Sequence, residues 1–168
     1  MWKILIFVIV VVLICVIAVV ALNNGAQKTT NTNGVIQPAS IETTNRAAFA
    51  IFTNGTYRIF SDSKYHKLST DVYIEEENPN ILIVKKKGIT WSDFFNTLPM
   101  KLSKDCLVTG TGQKFCNKEG GKLNFYINGE NDYLALDKEI KNGDTLLVSF
   151  GINQNNLKEE LSQIPDPK

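Results

Sequence analysis

The side chains able to do covalent or metal chemistry in this 168-residue chain are three cysteines and one histidine. Cys106 and Cys116 bracket a glycine turn, Thr109-Gly110-Thr111-Gly112-Gln113, in two short strand-like runs. That placement fits a disulfide across a local hairpin, and closing so short a loop is worth roughly 2–3 kcal/mol in lost chain entropy. Two other uses of the pair stand beside it. Thiol–disulfide exchange usually employs a C-x-x-C spacing. Zinc binding would need more than two thiols and His66. His66, in the run Lys64-Tyr65-His66-Lys67, reads as a surface residue. A lone histidine leaves no Ser-His or Cys-His nucleophile to assemble. Gly110-Thr111-Gly112 runs into Gln113-Lys114-Phe115-Cys116 and not into a helix start, so it is no phosphate cradle. Carboxylates are plentiful, but no spacing pairs two of them for acid–base work. No catalytic residue, metal ligand or cofactor-binding residue is assigned, and no cofactor is expected.

The element that positions everything else runs from Ile4 to Leu22. It holds nineteen residues without a charge, proline or glycine, close to the ~20 apolar residues of a membrane-crossing helix. It reads as an uncleaved transmembrane signal anchor, residues 1–22. A cleaved signal peptide processed at Val19-Val20-Ala21 is the alternative, although such signals have shorter apolar regions. Cys15 follows Leu13-Ile14 in mid-run and reads as a lipid-facing or packing thiol. Lys3 lies on the short side of the span, and positive charge favours the cytoplasm. The expectation is a single-pass protein of the cell membrane, its N-terminus cytoplasmic and residues 23–168 on the extracytoplasmic face. A disulfide between Cys106 and Cys116 agrees, because disulfides persist outside the cytoplasm.

Residues 23–44 are rich in Asn, Thr, Gly, Gln and Ser, and such a segment buries too little apolar surface to offset its ordering entropy. They read as a flexible polar linker with a root-mean-square reach of about 25 Å. Of 18 basic and 17 acidic residues, only Lys3 and Lys28 precede residue 29, leaving 16 basic against 17 acidic beyond it. A near-neutral domain has no electrostatic footprint for nucleic acid. The remaining ~125 residues suit one domain with its own core, extending over residues 45–151 with a short C-terminal helix and tail at 152–168.

Within that domain the pattern is mostly strand. An apolar run ending at Thr53, then Asn54-Gly55, then Thr56-Tyr57-Arg58-Ile59-Phe60 predicts a β-hairpin with a type I′ turn. Asn54-Gly55-Thr56 is also a glycosylation sequon in an exported domain, although the turn alone accounts for Asn-Gly. Val72 and Ile74, then Leu82 and Val84, repeat every two residues around a turn centred on Pro79. This register sets Lys85 opposite Tyr73 and offsets the acidic triplet 75–77 from the basic triplet 85–87, both read as solvated strand ends. Thr90-Trp91-Ser92-Asp93 is a capping box with Asp93 in place of Glu. Trp91, Phe94, Phe95 and Leu98 then follow helical spacing, and Pro99 marks the exit. The three aromatics anchor the core or, alternatively, form an interaction surface. Further on, Asn128-Gly129 ends a strand and Asn142-Gly143-Asp144 introduces a last one. In the tail, Leu157, Leu161 and Ile164 mark a short helix that docks on the sheet or on a partner.

The order strand–strand–helix–strand–strand over residues 71–151, with its two Asn-Gly turns, resembles the β-grasp fold of ubiquitin-like sulfur carriers and TGS-type domains. Such carriers end in a free Gly-Gly. Gly151 stands alone with seventeen residues after it, so the carrier role is not implied. The chain more closely resembles a family of archaeal and bacterial membrane-anchored extracytoplasmic proteins with no assigned activity. The matching residues are Ile51-Phe52-Thr53-Asn54-Gly55, Gly88-Ile89-Thr90, Asp93-Phe94-Phe95, the two cysteines, Tyr126-Ile127-Asn128-Gly129, Gly143-Asp144 and Gly151. Paired histidines of that family correspond to Arg46, Ala48, Ile83 and Lys85, so metal binding does not carry over.

The expected fold is α+β: a transmembrane helix, a preceding β-hairpin, and a β-grasp-like core of mixed sheet packed on one short helix. The expected function is non-catalytic, a protein-interaction module or accessory subunit of an envelope assembly with a protein partner or a second copy. Two alternatives remain, a small-ligand binder with its groove beside the Trp91 helix and a thiol–disulfide oxidoreductase using Cys106 and Cys116.

Overall fold

The computed structural model describes residues 44–118, 120–152 and 155–168. The expected anchor from Ile4 to Leu22, Cys15 with it, and all of the linker but residue 44 lie outside them. Among the described residues no helix is long and apolar enough to cross a membrane.

Strand β1 (Asn45–Thr53) is buried without a break from Ala47 to Thr53. Side chains alternate between the faces of a strand, so an unbroken buried run means that both faces of the sheet are covered. The chain continues through β2 (Thr56–Tyr57), β3 (Val72–Glu75), β4 (Asn78–Val84) and helix α1 (Trp91–Thr97). Then come β5 (Lys101–Leu102), β6 (Cys106–Val108), β7 (Lys114–Cys116), β8 (Lys122–Ile127), β9 (Glu130–Asn131), β10 (Thr145–Gly151) and helix α2 (Leu157–Ser162). The fold is mostly β with a mixed sheet and few helices. Its main sheet has the order β3-β4-β1-β10-β8-β9, with β2 paired to β1 off that path, and β5-β6-β7 form a second, smaller sheet.

β1 and β10 pair in parallel, from Ala48 opposite Thr145 to Thr53 opposite Phe150. This corrects the expected hairpin that was to precede the core, because its first strand lies at the centre of the sheet. A parallel pair needs a long crossover, and a two-residue period identifies strands without saying which one takes the middle. The turn itself forms as expected. Asn54 and Gly55 both have positive φ, 51° and 75°, which a type I′ turn requires and few other residue pairs tolerate. β2 is shorter than the apolar run suggests. The Arg58 amide still donates to Ile51 O at 2.8 Å, and the chain then leaves the ladder.

Between β3 and β4 the register also differs from expectation. Tyr73 lies opposite Ile83, with a bulge after Ile74, and the turn falls at Glu76-Glu77. Pro79 lies inside β4 but before Ile81, where pairing with β1 begins, so its missing N–H removes no bond from the central ladder. Lys85 Nζ nevertheless stays 5.7 Å from the Tyr73 ring centroid.

α1 starts at the expected capping box. The Asp93 amide donates to Thr90 Oγ1 at 3.1 Å, and the Thr90 amide donates to Asp93 Oδ2 at 2.9 Å. Trp91, Phe94 and Phe95 are 0%, 0% and 1% exposed, so they are core residues and present no surface to a partner. Phe94 and Phe95 pack edge-on to Phe49 of β1, with centroids 5.2 and 5.9 Å away. The opposite face of the sheet is covered by the tail, where Leu157, Leu161 and Ile164 pack on Ala50, Phe52, Tyr126 and Leu147. Of the two expected seats for the tail, it takes the sheet. Arg46 Nε donates to Pro167 O at 3.0 Å at the end of that tail.

His66 also departs from expectation. It is only 8% exposed, and Nε2 lies 2.8 Å from Phe60 O. A loop between β2 and β3 folds back over β3, where His66 bridges Ile74. The lysines on either side hid this in the sequence, since neighbours along an irregular loop share no face.

Candidate functional site

Cys106 and Cys116 lie directly opposite one another in the β6–β7 ladder and are joined by a disulfide, with Cα atoms 4.0 Å apart. The hairpin they close ends in a tight turn. The Thr109 amide donates to Gln113 O and the Gly112 amide to Thr109 O, both at 2.9 Å. Gly110 passes so close to the exit from α1 that an added Cβ would lie 2.7 Å from Pro99 O, two residues past the helix. Only glycine permits that approach, and it holds the tip of the disulfide hairpin against the main domain.

Facing this hairpin is the stretch that leaves β2. Arg58 and Ile59 are followed by Phe60, then by a 3-10 turn at Ser63–Tyr65 whose start is capped by Asp62 accepting from the Lys64 amide at 3.0 Å. The Phe60 carbonyl, held at His66, and the edge-on contact of Phe60 with Tyr65 at 5.0 Å fix this loop. Between loop and hairpin is a cavity of about 270 Å³. Ile51, Phe60, Met100 and Leu107 supply apolar wall, and Arg58, Tyr65 and Thr109 supply polar groups. Burial also pushes the phenol of Tyr57, on the same cavity, above its ordinary value.

Among the described residues Arg58 is the only charged side chain lining this cavity. Its Nε donates to Thr53 Oγ1 at 2.6 Å, and Nη1 reaches Gln113 Oε1 at 3.5 Å, the outer limit of a hydrogen bond. The guanidinium lies 5.0 Å from the Phe115 ring centroid, and Phe115 packs on Phe150 of the central strand. Among the described residues Arg58 has no ion-pair partner, in contrast to Lys64, Lys86, Lys104 and Lys138. The Tyr65 hydroxyl interacts with Lys64, whose Nζ lies 5.0 Å from the ring centroid. Ile59, at the rim, is 68% exposed.

Two polar cavities differ in kind. One, of about 600 Å³, includes Glu130, Asp132, Glu139 and Asp144 among its walls. Three of these carboxylates are already engaged: Asp132 with Lys138 and the Leu134 amide, Glu139 with the Gly88 amide, Asp144 with Asn128 and the Lys141 amide. The Lys138 contact and the Leu134 amide hold the Asp132 carboxyl below its ordinary value. The other, about 400 Å³, lies beside α1, where a ligand groove is one of the sequence expectations. Its walls are Asp93, Thr97 and the Lys86–Asp71 ion pair, not the three aromatics. Among the described residues no His, Cys, Asp and Glu side chains group for a metal ion.

The sequence-named residues are thus dispersed. The disulfide shapes one wall of the cavity, Asn54 is exposed at the β1–β2 turn, and Trp91, Phe94 and Phe95 are in the core. Arg58 and Tyr65 belong to no recognisable sequence motif. The one available signal was an arginine interrupting the apolar run straight after an Asn-Gly turn. In comparison with known proteins, the chain matches no family model, no curated protein and no solved structure.

Proposed function

We propose that this chain is a single-pass, membrane-anchored extracytoplasmic domain that serves as a non-catalytic protein-interaction module or as an accessory subunit of an envelope assembly. The observation that carries this reading is the open end of the domain. There an exposed Ile59 and an Arg58 with no acidic partner among the described residues meet beside an apolar cavity that Tyr65 also lines. Exposed apolar groups next to an unpaired arginine have the character of an interface anchor. The span from Ile4 to Leu22 supports the anchor, and the Cys106–Cys116 disulfide supports an oxidising compartment.

The same reading takes the domain as β-grasp-like and related to the membrane-anchored family named above. The neighbouring strands β4-β1-β10-β8-β9, with the parallel pair β1 and β10 in the middle and α1 on one face, support it. On this view the grasp begins at β1, at residue 45 and not 71, and β3 is an added edge strand.

The test is affinity purification of the intact, detergent-extracted protein at native expression. A stoichiometric protein partner or a defined homo-oligomer is expected, and a clean monomer would contradict the reading. The cavity itself favours one second reading, a small-ligand binder, for which ligand-induced shifts in melting temperature are the screen.

A further inference from the structure

We infer that the cavity between the β2 exit and the disulfide hairpin takes the free C-terminal residue of a partner polypeptide. Its apolar side chain would lie among Ile51, Phe60, Met100 and Leu107, and its carboxylate on Arg58 and Tyr65. This rests on the interaction-module reading and names the partner's chemistry.

Size is the first argument. About 270 Å³ lies just below the range of ~300–1,000 Å³ that holds a drug-sized ligand. It suits a single residue on the end of a larger molecule, whose further contacts would fall on the exposed Ile59 at the rim. Charge is the second argument. Among the described residues no acid lines the cavity, and the one cation there is a guanidinium whose Nη2 end has no acceptor. Arginine offers carboxylates a planar fork of donors, and capture of a terminal carboxylate is an established mode of peptide recognition. Preorganisation is the third. Thr53 and the Phe115 ring hold the guanidinium, and Gly110 against Pro99 holds the opposing wall, so little ordering cost remains on binding.

The probes are two fluorescein-labelled pentapeptides, one ending in Leu and one in Phe, each made as the free acid and as the C-terminal amide. They are titrated by anisotropy against the detergent-solubilised full chain. At least one free acid should bind, its amide at least tenfold more weakly. Arg58→Gln should lose tenfold or more, and Tyr65→Phe, which deletes only a hydroxyl, several-fold with an unchanged melting temperature. Lys86→Gln, beside α1, should leave binding unchanged. Absence of binding by both acids up to millimolar concentration, or equal binding of acid and amide, would overturn the proposal. So would equal affinity for free 4-phenylbutyrate, which would mark a small-molecule site. Failure here stays separable from failure of the broader reading: a co-purifying partner still retained by Arg58→Gln would leave the interaction module standing and remove only the terminal-carboxylate site.

Discussion

The α1 end and the Arg58 end of this domain use aromatic residues in opposite ways. At α1, Trp91, Phe94 and Phe95 are entirely enclosed, and two of them close on Phe49. At the Arg58 end, Phe115 lies under a guanidinium and Phe60 lines an open cavity. The first arrangement stores stability, since fully buried aromatics dominate a core. The second leaves bonding capacity unused at Arg58, whose Nη2 has no acceptor among the described residues. The large aromatics mark where this fold is held, and the arginine that interrupts an apolar run marks the open cavity.

Substitutions should separate the two ends cleanly. Phe94→Ala empties a fully buried site and is expected to cost about 3–5 kcal/mol by denaturant unfolding. A cost below 1 kcal/mol would mean that α1 does not anchor the core. Replacing Cys106 and Cys116 together by Ser removes a short cross-link, and a loss of roughly 2–3 kcal/mol is expected. Because the hairpin forms one wall of the cavity, peptide binding should weaken in the same variant, whereas Phe94→Ala, where still folded, should leave the peptide affinity of the native fraction intact.

Thr90→Ala deletes the cap hydroxyl of α1 and should cost about 1 kcal/mol. The same cap responds to pH. The Thr90 amide and hydroxyl hold the Asp93 carboxyl below its ordinary value. A lowered folded pKa means stability that is present above the unfolded pKa of about 3.9 and lost as pH falls through the folded value. Melting temperature should therefore fall on acidification below about pH 4, and part of that fall should be absent in Asp93→Asn. The smallest effect on stability is expected at the Arg58 end, where Tyr65→Phe should change it by no more than about 0.5 kcal/mol while still weakening the peptide.

The parts of the fold visible in the sequence are those decided by a few adjacent residues. Asn54-Gly55 and Asn128-Gly129 turn the chain because both residues of each pair take positive φ. Thr90 and Asp93 cap α1 through bonds three residues apart. Cys106 and Cys116 pair across a hairpin that their own spacing implies. What was hidden depends on how the chain folds back on itself. The parallel seat of β1 against β10 joins residues about ninety-seven apart, as Ala48 does with Thr145, and no local pattern reports it. His66 looked exposed among lysines because only the fold brings Phe60 O and Ile74 to it. The cavity is hidden for the same reason, since Arg58 and Tyr65 acquire their facing wall, Thr109 to Thr111, from over forty residues away.

The most direct test compares backbone hydrogen exchange of the intact chain alone with that of the chain bound to whatever co-purifies from detergent-extracted membranes. The interaction reading, with Arg58 at its centre, predicts new protection over residues 57–67 and 109–113 and none over 91–97. Protection confined to other segments, or an unchanged pattern with the partner bound, would contradict it.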